Sequence, residues 1–111
     1  MLPEQDLAAI RQYCEEHVPA QVAHQLRLEA VVTQGAATIV ERRPPWRTEP
    51  GTEWSTGPVA RFRYNATAGL WTLYCRYADM RWHRYPHVEP STDIAALLDE
   101  VDRDPTAIFW G

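Results

Sequence analysis

Gly69-Leu70-Trp71-Thr72-Leu73-Tyr74-Cys75-Arg76-Tyr77-Ala78-Asp79-Met80-Arg81-Trp82-His83-Arg84-Tyr85 is the densest aromatic run of the chain, and its periodicity decides the fold. Read as a strand, Leu70 to Tyr77 puts Trp71, Leu73, Cys75 and Tyr77 on one face and Leu70, Thr72, Tyr74 and Arg76 on the other. The preceding run from Val59 to Tyr64 divides in the same way, with Ala60, Phe62 and Tyr64 against Arg61 and Arg63. After a turn at Tyr77-Ala78-Asp79, Met80 and Trp82 alternate with Arg81, His83 and Tyr85. Side by side, the three runs predict an apolar face of Phe62, Tyr64, Trp71, Leu73, Cys75, Met80 and Trp82. The opposite face is expected to carry Arg61, Arg63, Thr72, Tyr74, Arg76, Arg81, His83 and Tyr85. An antiparallel sheet with one wet face produces such a division.

Working outward, Leu7, Ile10, Cys14 and Val18 recur at helical spacing, which predicts an amphipathic helix from Pro3 to Val18, ended by Pro19. Its proline and early acids suit the first turn, and His17 and His24 are expected to face solvent. Gln25 to Thr33 and Ala36 to Glu41 read as a hairpin closed by Gln34-Gly35, with the faces of the second strand open: either Ile39 and Glu41 share one, or Thr38, Val40 and Arg42 do. Arg43-Pro44-Pro45-Trp46 breaks the sheet, and Arg47 to Gly57 is a long loop in which Trp54 is a candidate lid. Asn65 to Gly69 is a hairpin turn. Ser91 or Thr92 is expected to cap a second helix with an apolar stripe of Ile94, Leu97, Leu98 and Val101 and with Asp99, Glu100, Asp102 and Arg103 facing out. The tail, Ala107-Ile108-Phe109-Trp110-Gly111, is too apolar to hang free and should pack as a short strand or as an anchor. The expected fold class is α+β: N-terminal helix, five-stranded antiparallel meander, C-terminal helix and apolar tail, with both helices on one face of the sheet.

At 111 residues, 45% hydrophobic with five Trp, residues 1–111 read as one domain with a modest core. No apolar run is long enough to span a membrane, and the acidic start, Met1-Leu2-Pro3-Glu4-Gln5-Asp6, does not resemble a signal peptide. A cytoplasmic location is therefore expected, with Cys14 and Cys75 as buried free thiols. The net charge of −4 is uneven: residues 42–84 hold eight Arg against three acids, a local +5 between flanks of −4 and −5. Every basic residue is Arg, which codon bias explains more simply than selection for bidentate contacts.

Four features carry a family resemblance: Glu41-Arg42-Arg43-Pro44-Pro45-Trp46; Trp71 with the aromatic strand after it; Arg81-Trp82-His83-Arg84-Tyr85; and Asp102-Arg103-Asp104 leading to Phe109-Trp110-Gly111. In this set and order the chain resembles a bacterial family known as domain of unknown function 3024. The resemblance covers nearly the whole length. It implies a small, stand-alone bacterial protein and carries no activity, cofactor or catalytic residue with it.

The residues themselves offer four candidates. The Arg-aromatic face, with Arg61, Arg63, Arg76, Arg81 and His83 for charge and Tyr74, Tyr85 and Trp46 for stacking, has the pattern of a binding surface for single strands. The acidic total weighs against general nucleic-acid binding, and a solvated, salt-bridged sheet face is the simpler explanation. As a catalytic alternative, Glu41, Arg61 or Arg63, and His83 supply the residue types of a metal-independent ribonuclease: carboxylate base, guanidinium for the phosphorane charge, imidazole acid. A metal site from Cys75, His83 and His87 would need convergence that the alternation denies, so no metal and no cofactor is expected. Trp46, Trp54, Phe109 and Trp110 are candidates for a protein interface, including a homodimer through an edge strand or the tail, or else plugs for the monomer core. The reading that follows is a non-enzymatic binding or accessory module, with nucleic-acid binding or ribonuclease activity as the alternative.

Overall fold

A computed structural model describes residues 2–22, 24–45 and 53–110. The elements run α1 (Glu4–Glu16), β1 (Arg27–Thr33), β2 (Ala36–Arg43), β3 (Ser55–Asn65), β4 (Leu70–Arg76), β5 (Trp82–Arg84) and α2 (Ile94–Arg103), with a single 3-10 turn at Ala20–Val22. The strands form one antiparallel sheet in the order β1-β2-β3-β4-β5. This is the α+β meander expected from the alternation.

Local chemistry sets the element ends. Pro3 stands at the N-cap of α1 with Glu4 and Asp6 in the first turn, where their charge meets the positive end of the helix. Gln34-Gly35 closes the first hairpin in two residues, which requires the positive φ that Gly35 adopts at 75°. Between β3 and β4, the Asn65 side chain accepts from the backbone N–H groups of Thr67 and Ala68 at 3.0 and 3.2 Å. Gly69 then takes φ 68° to re-enter the sheet. The cap of α2 is Asp93, whose carboxylate accepts from the Ala95 N–H at 3.0 Å. Ser91, expected as the cap, instead accepts from the Asp93 N–H, and its backbone pairs with that of Trp71. A β-bulge at Val59 sits beside Pro58, on the stretch of β3 that β4 does not pair, where a proline's missing N–H is tolerated.

Both helices cover one face. Ile10, Tyr13 and Cys14 from α1 and Ile94, Leu97, Leu98 and Val101 from α2 join Ala37, Ile39, Ala60, Phe62, Trp71, Leu73, Cys75 and Tyr85 in a single core. Two polar contacts tie the layers. The Trp71 indole N–H donates to Asp6 of α1 at 2.8 Å, and the Tyr85 hydroxyl donates to Glu100 of α2 at 2.7 Å. The tail folds back as turns, not a strand. The backbone N–H groups of Phe109 and Trp110 donate to Asp104, the Trp110 indole donates to the Val101 carbonyl, and Phe109 is buried.

Two further expectations change. Glu100 does not face out. It is 8% exposed because Tyr85 and Arg103 satisfy its oxygens, which makes its burial affordable. His17 is exposed, as expected, with its ring stacked on Tyr13 at 3.8 Å and its Nε2 2.8 Å from Asp102 Oδ1. The fifth strand presents the opposite face to the one expected. Tyr85 is in the core at 1% exposure and Trp82 lies across the sheet from it, while Met80 is 69% exposed in a turn at φ 63°. The connection from Tyr77 to Arg81 holds an odd number of residues, so Trp82 pairs with Arg76 and shares its face. Hydrophobicity alone assigned Met80 and Trp82 inward; register overrides it.

Replacing Tyr85 by Phe keeps the ring and removes the donor to buried Glu100. Urea denaturation should show a loss of about 1–3 kcal/mol. An unchanged midpoint would mean that this bond does not hold α2 to the sheet.

Candidate binding face

The side of the sheet away from the helices is built by alternation from every strand. Arg27 and Glu29 come from β1, Thr38 and Arg42 from β2, Arg61 and Arg63 from β3, Thr72, Tyr74 and Arg76 from β4, and Trp82 and Arg84 from β5. Cross-strand pairing places Tyr74 between Arg61 and Arg84, and Arg63 beside Thr72. Directly opposed residues bring their Cβ atoms within about 4.5–5.5 Å, so these side chains are neighbours on one surface.

Guanidinium groups lie over indole rings here. Arg61 sits 4.7 Å and Arg76 5.6 Å from the Trp82 ring centre, and at the far end of the sheet Arg27 lies 4.4 Å from Trp54. Arg61 also donates from Nε to the Thr38 hydroxyl at 3.0 Å. Its pKa is lowered, first by burial and then by the neighbouring charges of Arg63 and Arg76. The strand register sets the three cations on one area: Arg61 and Arg63 are two apart on β3, and Arg76 shares the Trp82 ring with Arg61. Arg42 pairs with Glu29 at 3.1 Å and Arg84 with Glu89 at 3.2 Å. Among the described residues, Arg61, Arg63 and Arg76 pair with no carboxylate.

Of the residues expected to bind, Arg61, Arg63, Tyr74 and Arg76 are brought together on this face. Arg81 lies in the turn before β5, exposed, with its N–H bonded to Asp79. Tyr85 belongs to the core, and His83, paired in register with Cys75, lies on the helix side, its ring stacked on Tyr77 and its Nε2 2.7 Å from Asp79. Trp46 lies outside the described residues. Trp82, Arg84, Arg27 and Trp54 are the members that alternation missed; counting the residues of the turn after Arg76 would have found the first two.

The alternative catalytic set is not assembled. Glu41 shares its face with Ile39 and Leu28, on the helix side, where it pairs with Arg43. His83 stands on that side too, but three strands away, about 14 Å at the usual strand spacing. Arg61 and Arg63 project through the other face, so these groups do not surround one phosphate. Cys75, His83 and His87 do not converge either: no group of three or more His, Cys, Asp or Glu among the described residues is placed to hold a metal ion.

The matching family model spans residues 2–111 and is described as Domain of unknown function (DUF3024). The chain belongs to the DUF3024 family. Neither a curated protein nor a solved structure matches it.

Thiol chemistry in this DUF3024 chain is suppressed by burial. The Cys14 thiol is pushed up to about 11, first by desolvation and then by Glu15 and Glu29; burial raises Cys75 as well. Both are free. A raised pKa leaves little thiolate at neutral pH, so native protein should react with a disulfide reagent only slowly, and two thiols should appear at once in denaturant. Rapid labelling of either thiol in the native state would contradict this placement.

Proposed function

We propose that this DUF3024 chain is a non-catalytic binding module whose contact surface is the Arg-aromatic face of the sheet, on the side away from both helices, and that its partner is anionic. The observation that carries the reading is the cluster of Arg61, Arg63 and Arg76 on the neighbouring strands β3 and β4, with Arg61 held by the Thr38 hydroxyl and both Arg61 and Arg76 over the Trp82 ring. A merely solvated face has no need to fix its guanidinium groups. Held side chains lose less conformational freedom on binding, and planar guanidinium suits two-pronged contact with carboxylate or phosphate.

Charge is segregated between the two sides. Glu4, Glu15 and Glu16 of α1 and Asp99 and Asp102 of α2 are exposed on the helical layer, while the sheet face is basic. The net charge of −4 therefore describes neither side. A local positive potential steers an anionic partner to the sheet whatever the total.

Cation-exchange chromatography at neutral pH separates these statements. The protein should be retained at low salt despite its negative net charge, and the Arg63→Ser/Arg76→Ser double variant should pass straight through with an unchanged circular dichroism spectrum. Passage of the parent protein without retention would refute an accessible basic face.

A further inference from the structure

Resting on that reading, we propose that the anionic partner is a single-stranded nucleic acid, bound across β3, β4 and β5 with its phosphates on Arg61, Arg63 and Arg76 and a base on Tyr74. Two features select this class over an acidic peptide and over a duplex. The first is the interleaving of rings with cations. Tyr74 stands between Arg61 and Arg84 in the cross-strand row, and Trp82 stands opposite Arg76 under the Arg61 guanidinium. A strand of nucleotides offers a phosphate and a flat base at every step, so it uses both kinds of group. A run of carboxylates uses only the cations. A guanidinium stacked on an indole also presents its outer plane, on which a second base can lie.

The second feature is shape. Both helices lie on the other side, so this face has no helix to enter a major groove. Two of the connections at its edges are short, two residues between β1 and β2 and a tight Asn65–Gly69 turn between β3 and β4, while the long connection from β2 to β3 runs from Pro44 to Trp54. The strands' side chains make the surface, and they can follow the backbone of a splayed single strand but not the base edges of a paired one. Arg61 and Arg63 are two apart on one strand, a separation of about 6.6–6.8 Å, which sets successive cations along the path of an extended chain. The Arg61 bond to Thr38 and its seat on Trp82 fix the first of these cations before any ligand arrives.

Fluorescence anisotropy with labelled oligouridine and oligothymidine of about 12 nucleotides, the matching duplex and polyaspartate tests this assignment. The single strands should bind, with a log–log salt slope of about −2 for three phosphate contacts, and Arg63→Ala should flatten the slope by about 0.7. Tyr74→Ala should weaken single-strand binding about tenfold or more without changing polyaspartate binding, and Tyr74→Phe, which keeps the ring, should restore it. The RNA and DNA arms decide which sugar is preferred. If polyaspartate or the duplex binds as tightly as the single strands, or if Tyr74→Ala affects none of them, the nucleic-acid assignment fails while the reading of a basic face for an anionic partner stands. If no polyanion binds at low salt, the binding-module reading fails with it.

Discussion

The Tyr85 hydroxyl donates a hydrogen bond to the Glu100 carboxylate, buried where α2 crosses the sheet, and this contact orders the rest of the structure. A carboxylate at 8% exposure is tolerated only when its oxygens are occupied, and Tyr85 and Arg103 occupy them. Tyr85 must therefore turn toward the helices. With its register fixed, β5 has no choice about its other residues: Trp82 emerges on the far side, beside Arg76. A one-residue slip would bury Arg84 and expose Tyr85. The basic-aromatic face thus follows from a core contact, because the same strand supplies both.

The Trp71 indole plays the matching role for α1 through Asp6. Each of these contacts between helix and sheet comes from a large aromatic residue that needs a partner for its polar atom, and Asp102 of α2 also meets Tyr13 and His17 at the end of α1. With both helices on one side, no helix among the described residues covers the other, where Ala36, Thr38 and Val40 of β2 are buried and the side chains of β3, β4 and β5 make the accessible surface. No helix among the described residues is long and apolar enough to cross a membrane. The open face is instead rich in guanidinium groups with Thr38, Tyr74 and Trp82 set among them, a composition suited to a charged, planar ligand.

Alternation made the fold legible. Val59 to Tyr64 and Leu70 to Tyr77 divide so cleanly that the strand faces, the meander and the placement of Arg61, Arg63, Tyr74 and Arg76 can be read from periodicity. The last strand was not legible in the same way. Only Trp82–Arg84 pair in it, too short a run for a period to assert itself, and the apolar character of Met80 and Trp82 pointed inward. A turn set by Asp79, which accepts from the Arg81 N–H, fixes the register, and Trp82 is stabilised outside by Arg61 and Arg76. Glu100 was misread for a related reason: a carboxylate at a helical position looks exposed until the tyrosine that reaches it from another strand is known. Such contacts join residues far apart in the chain, where local pattern carries no information. The open choice for β2 closes the same way, because pairing with Leu28 and Gly57 sends Glu41 to the helix side.

The direct test of this account is whether Trp82 and Trp71 lie on opposite faces of the sheet. Protein labelled with 5-fluorotryptophan gives one fluorine resonance per indole, assigned by single substitutions, and a soluble gadolinium chelate broadens those that water reaches. The account predicts that Trp82 is broadened and shifts in Arg61→Ala, while Trp71 is protected and does not move. A protected Trp82 would contradict it, since β5 would then face the other way and the basic-aromatic face would lose its central ring.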